Sequence, residues 1–184
     1  YVASNNIITN NDCNKNYAYG IRLYDSWNNI LNNNDASNSG MGIGIDLDSS
    51  SYNNIIGNTA KYNDYFGISL FDSSNNLITN NVVASNERGI SLSSSSNNAI
   101  YLNNFIDTLQ NVGSIDSTNI WNSTEKITYT YNGSQSTNYL GNYWDDYKAK
   151  YPDAEEIDEC GIWDTPYSID SDADNYPLLE PFEN

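Results

Sequence analysis

The sequence predicts an all-β chain: a right-handed parallel β-helix of five to six coils, 22–24 residues each, closed by an irregular acidic and aromatic C-terminal cap. Three observations predict it. Two asparagine columns recur at coil-length spacing, a short Gly-Ile-x-Leu strand follows four of the five repeats with a degraded copy, Asn111-Val112-Gly113-Ser114, after the fifth, and the composition changes abruptly near residue 120.

The first column is Asn6, Asn29, Asn53, Asn76 and Asn98, and the second, five residues on, is Asn11, Asn34, Asn58, Asn81 and Asn103. An aliphatic residue lies between them in every copy: Ile8, Leu31, Ile55, Ile78 and Ile100. A small or apolar residue follows the second asparagine by two positions, at Cys13, Ala36, Ala60, Val83 and Phe105. This apolar–polar alternation over three or four residues is the period of a strand. A unit of this length cannot bury its own apolar face and must stack on copies of itself. Stacking puts like on like, so the asparagines form ladders in which each side-chain amide bonds the coil above and below. Asparagine also tolerates the left-handed backbone of tight corners. Few leucines and no helical period set aside a leucine-rich repeat.

The strands Gly20-Ile21-Arg22-Leu23, Gly44-Ile45-Asp46-Leu47, Gly67-Ile68-Ser69-Leu70 and Gly89-Ile90-Ser91-Leu92 supply the second inward columns. Their outward column reads Arg22, Asp46, Ser69, Ser91.

Residues 1–119 form the coils; residues 120–184 form the last coil and the cap of the same domain. The latter segment holds Trp121, Trp144 and Trp163 and all four prolines. An open solenoid end exposes unpaired strand edges, and such a segment covers them.

Composition excludes several functions. The 184 residues carry a net charge of −17, which argues against nucleic acid and anionic lipid. There is no histidine, so Ser–His and Cys–His catalysis is excluded. No apolar run is long enough for a membrane span. The abrupt start at Tyr1 reads as a trimmed piece of a longer chain. Cys13 falls in an inward column and Cys160 in the acidic tail, too far apart by coil stacking to bridge.

The stacked Asn-Asn-x-Ile coils and Gly-Ile-x-Leu strands resemble the parallel β-helix repeats of carbohydrate-binding proteins and sugar hydrolases. They are most similar to the NosD-like group found on archaeal cell surfaces. The tail shares that group's pattern in Gly141-Asn142-Tyr143-Trp144-Asp145-Asp146-Tyr147, Asp164-Thr165-Pro166-Tyr167 and Asp174-Asn175-Tyr176-Pro177-Leu178. The resemblance implies an extracellular cell-surface protein with a structural or display role and carbohydrate binding. It departs from the group in two places. Copper ligands are scarce, with Met41 the sole methionine, and Cys160 and Trp163 interrupt the group's calcium-like acidic loop.

Four sets of candidate residues follow. Sugar stacking falls to Tyr143, Trp144, Tyr147 and Trp163 in the tail, with Tyr151 beside them and Tyr24, Trp27 and Phe71 near the strand ends. Calcium, the one cofactor considered, would sit at Asp170, Asp172 and Asp174, which match the first half of an EF-hand-like loop. Arg22, Asp46, Asp48 and Asp72 are the catalytic candidates for a polysaccharide lyase or glycoside hydrolase, the alternative function. The outward column turns to plain serine, which favours a non-enzymatic role. Asn122 and Asn132 head glycosylation sequons. The expected partners are surface glycans or neighbouring surface-protein subunits, the latter as a self-assembling filament or sheath.

Overall fold

The structure, a computed structural model, describes residues 2–183. The first coil contributes β1 (Ile7–Thr9) and β2 (Tyr19–Tyr24), and the second β3 (Ile30–Asn32) and β4 (Ile43–Asp48). From the third coil on, three strands form per turn: β5 (Asn54–Ile56), β6 (Thr59–Lys61) and β7 (Phe66–Phe71). The fourth has β8 (Leu77–Thr79), β9 (Val82–Ala84) and β10 (Arg88–Ser93), and the fifth β11 (Ala99–Tyr101), β12 (Asn104–Ile106) and β13 (Gln110–Ile115). All pair in parallel, coil on coil, into three sheets: β1-β3-β5-β8-β11, β2-β4-β7-β10-β13 and one begun by β6-β9-β12. The register aligns Ile21, Ile45, Ile68 and Ile90, then Leu23, Leu47, Leu70 and Leu92, all buried. The fold is a parallel β-helix of about five turns.

The asparagines form the two ladders. In the first, the Asn53 backbone N–H donates to Asn76 Oδ1 at 2.8 Å, and Asn76 Nδ2 donates to Asn98 Oδ1 at 3.0 Å. The second runs through Asn58, Asn81 and Asn103 in the same way. The left-handed backbone lies one residue earlier than the ladder asparagine. Asn5, Asn28, Tyr52, Asn75 and Asn97 have φ of 57–60°, as their neighbours stack. A serine ladder that the repeat did not announce turns a further corner. The backbone N–H groups of Ser26, Ser50, Ser73 and Ser95 each donate to the serine hydroxyl of the next coil, ending on Ser117, and each of the five follows a left-handed residue: Asp25, Ser49, Asp72, Ser94 or Asp116.

The glycines that open each Gly-Ile-x-Leu strand are fixed by close approach. A Cβ on Gly67 would lie 2.3 Å from Val83 Cγ1, and one on Gly89 2.8 Å from the Phe105 ring. Val83 of β9 and Phe105 of β12 fill the space that the missing Cβ leaves.

The sixth coil is interrupted. Asn119 and Asn142 extend the two ladders from Asn98 and Asn103, with an antiparallel hairpin between them. The hairpin pairs β14 (Ile127–Tyr131) with β15 (Ser134–Asn138) through an Asn132-Gly133 turn, both residues at positive φ. β16 (Tyr143–Trp144) then joins β12, and a single helical turn, α1 (Tyr147–Lys150), follows where a sixth long strand would lie. β17 (Tyr167–Ile169) and β18 (Asp172–Asp174) close the end. Phe105, Trp144 and Tyr167 stack as one aromatic column, with ring centroids 4.6 and 4.4 Å apart and planes within 7°.

Candidate functional site

The tail aromatics have an interior role. Trp144 and Tyr147 are about 1–2% exposed, so neither presents a face to a sugar. Trp163 stacks on Tyr147 at 5.1 Å and Tyr143 packs on Leu102 and Leu140. Trp144 and Tyr147 are thus closed to a sugar because rings of this size seal the solenoid end, while Tyr143 and Trp163 stay partly exposed.

The Asp170–Asp174 stretch is also used otherwise. Asp174 is fully buried. Its Oδ2 accepts from the Asn142 backbone N–H at 2.7 Å and Trp144 Nε1 at 2.9 Å, and its Oδ1 from the Tyr176 backbone N–H. Asp172 accepts from the Asn119 backbone N–H at 2.7 Å. The two carboxylates therefore end the two asparagine ladders, taking the donors that a further coil would take. Asp170 stands apart at an exposed turn. Among the described residues no three His, Cys, Asp or Glu side chains converge on a metal-sized point.

Burial pushes the Asp174 carboxyl up to about 7, against its N–H donors, which pull it down. Of the sequons, Asn122 is half-buried with its amide on the Ser123 carbonyl, and Asn132 is exposed at the hairpin tip.

The outward face of β2, β4, β7 and β10 gathers the remaining candidates. Register places Arg22 beside Asp46, Asp46 beside Ser69 and Ser69 beside Ser91. Arg22 Nε lies 3.1 Å from Asp46 Oδ2 and its Nη2 2.5 Å from Asp48 Oδ2. The guanidinium also sits over the rings of Tyr19, at 4.6 Å, and Tyr24, at 5.6 Å. Burial raises the Asp46 carboxyl above its ordinary range; the Ser69 hydrogen bond and Arg22 oppose this. Asp72 is not part of the cluster; it is the left-handed corner before Ser73.

Two exposed rings flank this polar strip. Tyr24 is 50% exposed and Phe71 55%. Both occupy the same outward column, with Asp48 between them by register. Two coils separate them, about 9.5 Å along the axis. Arg88 adds a second cation, over the Phe66 ring at 5.5 Å and bonded to Gln110. The strip thus offers two apolar ring faces with hydrogen-bonding groups of both kinds between them.

The family described as periplasmic copper-binding protein (NosD) matches residues 1–149. Among solved structures, a variant of the periplasmic alginate epimerase AlgG is similar with a TM-score of 0.60 and 27% identity, over 62% of this chain and 28% of that one. A second AlgG variant gives a TM-score of 0.52 and 20% identity, over 65% of this chain and 42% of that one. The chain thus spans well under half the length of these proteins. No curated protein matches it. No helix among the described residues is long and apolar enough to cross a membrane.

The copper in the family's description does not fit these residues. The sequence has no histidine and one methionine, Met41, which is exposed. Its two cysteines lie in separate packing environments, Cys13 against the solenoid core and Cys160 among Leu102, Leu140 and Ile162. No soft-donor set of the kind copper requires is assembled. By its repeats, its parallel coils and the match over residues 1–149, the chain belongs to the NosD family of β-helix proteins.

Proposed function

We propose that the chain is an extracytoplasmic β-helix module that binds a neutral polysaccharide along the outward face of β2, β4, β7 and β10. The observation that carries this reading is the pair of exposed rings, Tyr24 and Phe71, two coils apart in one column with Asp48 between them and Arg22, Asp46 and Ser69 in the neighbouring outward column. Aromatic faces cover the C–H faces of pyranose rings, and the charged strip bonds hydroxyls. A net charge of −17 repels polyanions, and Arg22 is already occupied by two carboxylates, so the favoured glycan is uncharged. The similarity to an alginate epimerase supports a carbohydrate-related role.

The polar strip favours binding over cleavage. Asp46 and Asp48 are both paired with Arg22, so neither stands free as a catalytic acid or base. Retention on a panel of neutral and acidic polysaccharides, read together with glycan chain length, tests the proposal. Retention on neutral glycans, lost in the Tyr24→Ala/Phe71→Ala double variant, is expected. Shortened chains would establish a hydrolase or lyase instead, and undiminished retention by the double variant would move the site elsewhere.

A further inference from the structure

A second cleft, of about 590 Å³, lies far along the chain from the proposed glycan face, between the β14–β15 hairpin and the C-terminal tail. Tyr129, Tyr131 and Asn132 form its hairpin wall, and Glu180, Pro181, Phe182 and Glu183 its tail wall. Most of the tail wall lies beyond anything the NosD match covers.

The cleft is built and held. Asn104 clamps the tail with two bonds: its Oδ1 accepts from the Phe182 backbone N–H at 2.8 Å, and its Nδ2 donates to the Phe182 carbonyl at 2.9 Å. Tyr129 Oη donates to the Cys160 carbonyl at 2.6 Å, which fixes that ring. The Tyr131 ring lies over Gly161, where an added Cβ would come within 2.8 Å of it and where φ is +78°. Three aromatic residues and two carboxylates therefore share one opening, and no Lys or Arg lines it.

We propose that this cleft binds an alkylammonium group, its charge set against Tyr131 and Phe182 and balanced by Glu180 and Glu183. Ring faces attract such ions electrostatically, and bulky ammonium groups lose little hydration on entering. The protein's overall negative charge draws cations to it. Burial raises the Tyr131 phenol, and the nearness of Glu156 and Glu180 raises it further.

The ammonium group has two chemical sources: a free small cation, or a lysine side chain on a polypeptide. Calorimetric titration of the whole chain with choline, with its uncharged isostere 3,3-dimethylbutanol, and with Nα-acetyl-lysine amide separates them. Choline or the lysine derivative should bind at least about tenfold tighter than the isostere. Whichever cation binds tighter names the source. Glu180→Gln/Glu183→Gln, both at exposed positions, should weaken the cation about tenfold and leave the isostere unchanged. The Tyr24→Ala/Phe71→Ala variant should bind the cation normally, since neither residue lines the cleft. Equal binding of choline and isostere, or no binding of either cation by a folded chain, would overturn the proposal. So would a neutral sugar that displaces the cation with equal affinity.

Discussion

At the scale of single residues, the Asn-Asn doublet divides two tasks. The first residue takes the left-handed corner and the second bonds the neighbouring coil. The left-handed backbone costs roughly 1–2 kcal/mol for ordinary residues and less for asparagine. Tyr52 occupies such a corner at φ 60° with its side chain largely exposed. Tyr52→Asn should therefore stabilise the fold by about 0.5–1 kcal/mol, a rise in melting temperature of roughly 1–4 °C. Asn76→Ala should act in the opposite direction. It takes the acceptor from the Asn53 backbone N–H and the amide donor from the Ser50 carbonyl, and removes one of the bonds made by the Asn53 amide and one of the two received by Asn98 Oδ1, all in a buried ladder. A loss of about 3–4 kcal/mol in denaturant unfolding is expected. The ladder asparagines were legible because they recur in every coil. The corner role of the preceding residue was not, because Tyr52, Gly57 and Leu102 fill it in some coils and only backbone angle unites them.

At the scale of strands and corners, the sequence showed which residues point inward but not what limits their size. The Gly-Ile-x-Leu glycine reads in sequence as a turn former. In the structure it is a hole into which the neighbouring column packs. Gly67→Ala drives a methyl group into Val83 and the Gly89 carbonyl, so about 1–3 kcal/mol of destabilisation is expected. Adding Val83→Ala should recover part of it, and chemical denaturation of both variants measures how much. The serine ladder escaped notice for the converse reason: serine is so common here, 23 residues, that its column does not stand out. Tail aromatics misled a sugar-site reading because stacking on a sugar and stacking on another ring require the same side chains.

At the scale of the whole molecule, both ladders run in one direction, each coil donating N–H groups to the next, and stop on Asp172 and Asp174. Nothing local in sequence reveals this, since the contacts span 53 and 32 residues, the first of them across an inserted hairpin. An Asp-x-Asp-x-Asp run reads more readily as a cation loop. The buried carboxyl of Asp174 has consequences for pH. Its folded pKa of about 7 lies above the unfolded value near 4, so the folded chain holds a proton that the unfolded chain releases. Stability from this group is full below about pH 4 and declines as pH rises toward 7. Asp46, also raised by burial, acts in the same sense. Asp174→Asn should flatten the slope between pH 4 and 7. It should also lower stability overall, because an amide nitrogen would then face the Tyr176 N–H or the Trp144 indole. Melting temperature against pH for the two proteins reads both effects.

The measurement closest to the central claim is retention on neutral polysaccharide by the wild-type chain and by Tyr24→Ala/Phe71→Ala, with glycan length followed in parallel. Both rings are half-exposed, so the variant should fold as the wild type does. Retention without shortening is expected for the wild type, and its loss in the variant. Cleaved glycan, or a variant that binds as well as the wild type, would contradict the claim.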